Sequence, residues 1–86
     1  MKRRIESVVR WELTRGTERL ICQVDQEPNR GGGSDVFTVI LVSYRHLQRA
    51  SIERFQAAAA ALRRHAMLVS RLRAEGWTLA GYTPSS

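Results

Sequence analysis

Lysine is nearly absent from this sequence: Lys2 is one of fourteen basic residues and the other thirteen are arginine. Cysteine and proline are scarce too. Cys22 is alone, so no internal disulfide can staple the fold. Two prolines and a hydrophobic share of 43% argue against a disordered tail and for an ordered globule. No apolar run reaches the roughly 18 residues that a membrane-spanning helix needs. The basic opening Met1-Lys2-Arg3-Arg4 leads into no apolar stretch and does not read as a signal peptide, which makes the cytoplasm the expected location.

Patterns that carry chemistry are missing as well. Gly31-Gly32-Gly33 lacks the lysine and hydroxyl residue of a phosphate-cradling loop and feeds a strand rather than a helix. Neither His46, His65 nor Cys22 falls in a nucleophile–base arrangement or at metal-ligand spacing. The expectation is therefore no enzyme, no cofactor and no metal.

What is present is positive charge, unevenly spread over a formal +6. Residues 1–14 carry four basic and two acidic side chains, and residues 15–44 carry three basic and four acidic. Residues 45–86 hold seven arginines against Glu53 and Glu75, so nearly all the excess lies there. A GC-rich genome produces the same bias toward arginine and alanine. The functional alternative is that arginine serves for its bidentate grip on phosphate or carboxylate.

The most regular stretch runs from Ser51 to Glu75. Ile52, Phe55, Ala59, Leu62, Ala66 and Val69 form one row at steps of three and four, and Ala58, Ala61, His65, Leu68 and Leu72 form a second beside it. Such rows predict a helix with a broad face for burial. Ser51 is the expected N-cap, with Glu53 in the first turn; Arg71 and Arg73 suit the opposite end. Gly76 is the expected stop. The alanines from 57 to 61 favour helix and allow a close approach by a sheet or a second helix.

Before it, Arg4–Thr14 and Thr17–Gln26 alternate cleanly between apolar and polar side chains, which predicts two half-buried strands. Leu20, Cys22 and Val24 share a face. A two-residue turn at Arg15-Gly16 would pair Trp11 with Leu20, Val9 with Cys22, and Glu12 with Arg19. Val36–Tyr44 is apolar on both faces, Val36, Ile40, Val42 and Tyr44 on one and Phe37, Val39 and Leu41 on the other. Residues 45–50 fit a strand, a turn or an early helix start, and Trp77–Tyr82 reads as a last strand.

These readings predict one α+β domain over residues 1–86: an antiparallel sheet of three to four strands, in the order β-β-β-α-β, with one long C-terminal helix packed across one face. Residues 27–35 are expected to form a flexible loop and residues 83–86 a frayed tail. One helix covers one face, so Phe37, Val39 and Leu41, together with Val8 and Ile21, are expected on the uncovered face as a homodimer or partner interface. Nucleic acid or another acidic partner is expected on the arginines Arg45, Arg49, Arg63, Arg64 and Arg71. The alternative is a protein–protein adaptor or inhibitor using the apolar third strand. A further reading places a small apolar ligand near Trp11, Cys22 and Met67. No membrane partner is expected.

The ending Leu72-Arg73-Ala74-Glu75-Gly76-Trp77-Thr78-Leu79 resembles that of a family of short, uncharacterised bacterial proteins in which a helix stops at glycine and a tryptophan begins a strand. At the level of topology, a sheet followed by one long dimerising helix resembles the single-stranded nucleic-acid binders of the Pur and Whirly kind.

Overall fold

A computed structural model describes residues 5–29 and 31–83, without the side chains of residues 46–49, 82 and 83. The expected tail lies outside the described residues except for residue 83, and so does the basic start. Five antiparallel strands and one helix follow in the order β1 (Glu6–Arg15), β2 (Glu18–Glu27), β3 (Val36–Ser43), β4 (His46–Phe55), α1 (Ala58–Ala74) and β5 (Thr78–Thr83). Strands β1 to β4 form a meander, and β5 joins beside β1, giving the sheet order β4-β3-β2-β1-β5. The α+β class and the helix across one face stand as the sequence predicted; the sheet has one strand more. No described helix is long and apolar enough to cross a membrane.

The first hairpin turns one residue later than the sequence suggested. Arg15 pairs with Glu18, so Gly16-Thr17 is the two-residue loop. Gly16 lies at φ +62° and, among the described residues, no non-glycine residue has positive φ, as in a type II′ turn with glycine first. The register moves by two, to Trp11 opposite Cys22 and Leu13 opposite Leu20. Two is the period of a strand, so each residue keeps its face. Glu12 and Arg19 still meet at 3.3 Å, now diagonally.

The helix starts later than its periodicity implied. Ser51 to Phe55 belong to β4, where Ser51, Glu53 and Phe55 pair with Leu41, Val39 and Phe37. Ser51 is thus no N-cap, and Glu53 is not in a first helical turn. A run such as Ser-Ile-Glu-Arg-Phe also alternates at period two, and pairing with β3 supplies a ladder that an isolated helical turn there would lack. Ala57 is the actual N-cap, extended at φ −117°, ψ 133°, with no side-chain cap bond and no acid in the first turn.

The helix end matches the expectation. Gly76 takes φ +97°, its amide donates to the Arg73 carbonyl at 3.1 Å, and the Trp77 amide donates to the Leu72 carbonyl at 3.0 Å. This is a Schellman stop, which only a left-handed residue completes without strain. Arg15 fastens it to the sheet: its guanidinium lies 4.6 Å from the centre of the Trp77 ring and donates to the Glu75 carbonyl at 3.1 Å. Cation–π contact and a cation at a helix C-terminus act together here.

The buried row of α1 is Ala61, His65 and Val69, with Leu68 and Leu72 beside it. One cluster gathers Leu13, Cys22, Val69 and Trp77; another gathers Val24, Val39 and the fully buried Ala61, whose small side chain lets the helix approach the sheet closely. Burying each larger aliphatic side chain contributes about 1.5–3 kcal/mol.

The two sides of β3 are the reverse of the sequence reading. Val39 is 1% exposed in the core, Phe37 packs against the same cluster, and Leu41 packs against the other. Residues 28–35 close the β2–β3 connection so that Glu27 meets Val36, and this parity puts Val39 opposite Val24 and Leu41 opposite Cys22. Directly opposed residues share a face, so all three must follow β2 toward the helix. The predicted interface Phe37, Val39 and Leu41 is therefore helix-side core. Val8 sits at the β1 bulge and also packs on that core.

Candidate functional site

Two surfaces remain for a partner, and their electrostatics differ. The first is the open sheet face. Cross-strand pairing lines up Arg10, Gln23, Ile40 and Ile52 in one row, Glu12, Ile21 and Val42 in the next, and Asp25, Thr38 and Arg54 in a third. Ile52 is 55% exposed, whereas Ile21 and Thr38 are buried. Charges of both signs interleave here. Glu27 accepts from the Thr38 hydroxyl at 3.3 Å and meets Arg54 at 3.9 Å, and Arg10 donates to the Tyr44 hydroxyl at 3.3 Å. Burial raises the Asp25 carboxyl above its usual range, partly offset by the Gln23 amide donating to it at 2.9 Å.

The second surface is the helix side. Helix α1 carries Arg63, Arg64, Arg71 and Arg73 and no acidic residue. Arg64 donates to Glu53 of β4 at 2.9 Å, and Arg71 meets Glu75 at 3.6 Å. Among the described residues Arg63 and Arg73 make no ion pair. Arg45 is exposed in the β3–β4 turn, where its amide donates to the Ser43 hydroxyl, and Arg49 lies on β4 with its side chain outside the description. Of the five arginines singled out from sequence, Arg63, Arg64 and Arg71 lie on α1, Arg45 lies in the β3–β4 turn and Arg49 lies on β4. Arg64 and Arg71 are occupied within the fold, and Arg73, which the sequence reading left out of the site, is available. Pairing across β4 and α1 was invisible as long as Glu53 was read as helical.

The helix packs most closely over β2, β3 and β4, and reaches β1 through Leu13, which shares a core cluster with Val69, and through the contact of Trp11 with His65. Between them lies a groove of about 630 Å³, walled by Trp11 of β1 and by His65, Ala66, Val69, Ser70 and Arg73 of α1. Its volume is within the range of ligand sites. Of the residues named in the apolar-ligand reading, Trp11 lines this groove, whereas Cys22 lies in the core and Met67 is exposed. The His65 ring stands edge-on to Trp11 with centroids 6.0 Å apart, and its Nε2 lies 3.0 Å from the Cys22 carbonyl oxygen. Burial lowers the His65 pKa despite that hydrogen bond, so the ring is neutral at pH 7. Burial also raises the Cys22 thiol to about 11, well away from a reactive thiolate.

Among the described residues no three of His, Cys, Asp and Glu come together as metal ligands. Comparison with protein-family models, curated proteins and solved structures finds no match for this chain.

Proposed function

We propose that this chain is a non-catalytic binding module that takes an acidic partner on its helix side and pairs with a second copy through its open sheet face. The observation that carries the reading is the charge asymmetry of the two surfaces. Four arginines and no acid line α1, two of them without a counter-ion among the described residues, under a net charge of +6. Two copies of that helix side by side would repel, so an anionic occupant is favoured over self-contact. The open face has the opposite character. Its mixed charges permit reciprocal pairing across a two-fold axis, and Ile40, Val42 and Ile52 supply apolar contact. The buried, protonated Cys22 and the neutral His65 held on a backbone carbonyl support binding over catalysis.

The test is fluorescence anisotropy of labelled oligonucleotides and acidic peptides at low and at physiological salt. Binding should weaken steeply with salt, and more for Arg63→Ala/Arg73→Ala than for Arg64→Ala/Arg71→Ala. Absence of binding to any polyanion at low salt would sink the acidic-partner reading. For the pairing, light scattering at micromolar concentration should give a dimer that Ile52→Glu dissociates and Leu62→Glu on the helix does not; a wild-type monomer refutes it.

A further inference from the structure

The acidic-partner reading says which side is used, and the groove beside Trp11 narrows what the partner is. Nucleic-acid binding needs a track of available cations and flat aromatic surfaces for successive bases. Here Arg73 is the one cation lining the groove among the described residues, and two other arginines of the helix are tied to Glu53 and Glu75. Trp11, Ala66, Val69 and Ala74 give the groove apolar walls, with the His65 ring beside Trp11, so its lining suits an apolar side chain better than a strand of phosphates. Ser70 adds a hydroxyl at the exposed edge.

Arg63, Ala66, Ser70 and Arg73 follow at steps of three, four and three, so they form one row along α1. Arg63 and Arg73, which make no ion pair among the described residues, thus mark the ends of a row about 15 Å long, at 1.5 Å per residue, with the groove alongside it. An extended chain covers that distance in about four to five residues, and its side chains at alternate positions point the same way. We infer that the groove takes an extended acidic peptide segment, with an aromatic or branched apolar side chain seated against Trp11 and Val69 and carboxylates on either side reaching Arg63 and Arg73. The neutral His65 ring fits the apolar seat, since a buried cation there would compete with Arg73 for the carboxylate.

The probe is a fluorescein-labelled peptide with the core Glu-Ser-Phe-Ser-Glu, titrated with the full chain at low salt. It is compared with the same peptide carrying Ser for Phe, with one carrying Gln for both Glu, and with a labelled oligothymidylate. The Phe→Ser and Glu→Gln peptides should each bind about tenfold more weakly, as expected for loss of one seated side chain or of charge-assisted contacts. Ala66→Glu, at an exposed position in the groove wall, should block the peptide while circular dichroism shows an intact fold. Arg73→Glu should weaken the acidic peptide and improve a Lys-Ser-Phe-Ser-Lys version. Equal binding of the Phe and Ser peptides, or no effect of Ala66→Glu, overturns the groove assignment while leaving helix-side acid binding intact. Tight oligothymidylate binding with no peptide binding overturns it in favour of nucleic acid. If no anionic probe binds at low salt, the acidic-partner reading itself fails.

Discussion

Replacing Ala57 by serine tests where the helix begins, because the two candidate starts predict opposite signs. In the structure Ala57 has the extended backbone of an N-cap, at φ −117° and ψ 133°, but offers no side-chain acceptor to the amides of the first turn. A serine hydroxyl there should satisfy one of them and stabilise the fold by about 1 kcal/mol. If the helix instead began at Ser51, position 57 would be interior, and serine in place of alanine would destabilise by about 0.5 kcal/mol. The expected gain raises the melting temperature by about 4–8 °C for a domain of this size. In urea it moves the midpoint by about 0.5 M at unchanged slope. Aspartate at the same position adds a favourable interaction with the helix dipole of about 0.3–1 kcal/mol. Protein concentration is held fixed throughout, since self-association would contribute to apparent stability. Ser51→Ala completes the pair. Ser51 is exposed on β4, so its removal should change stability by less than about 0.5 kcal/mol. A destabilising Ala57→Ser together with a loss of about 1 kcal/mol from Ser51→Ala would refute the helix start at Ala58.

Gly76→Ala should cost about 1–2 kcal/mol in thermal unfolding, from left-handed backbone alone. The added Cβ would lie an ordinary 3.7 Å from Arg15 Cδ, so unchanged stability would mean that the helix stop does not need φ +97°. Val39→Ala should cost about 2 kcal/mol through the cavity it leaves under the helix, against little for Ile52→Ala in the monomer; the reverse order would return Val39 to the outside. Because burial lowers the His65 pKa, the unfolded chain takes up the proton first, and stability should fall as pH drops below about 6.5. His65→Gln should flatten that acid limb in urea titrations at pH 5 and 7. At the other end the unfolded Cys22 thiol ionises from about 9 and the folded one only near 11, so stability should fall as pH rises between these values. Denaturation at pH 8 and 10.5 should show that loss in the wild type and much less of it in Cys22→Ala.

Much of this fold is written in local pattern. The alternation of Leu20, Cys22 and Val24 with Arg19, Ile21 and Gln23 defines both the strand and its buried face, since side chains alternate on a pleated backbone whatever the partner. The row Ala61, His65, Leu68 and Leu72 determines the helix and its inner face in the same way, and Gly76 its end. Tertiary pairing decided the rest. Residues 51–55 fit both periods, and the β3 ladder, a long-range contact, drew them into a strand. Val39 and Ile40 are equally apolar, so neither face of β3 could claim the core from composition; the connection through residues 28–35 set the parity that turned Val39 inward. The candidate site follows the same division. Its arginine content belongs to the sequence, but which arginines remain available was decided by where Glu53 and Glu75 came to lie, and the groove at Trp11 exists because one helix is too narrow to cover five strands.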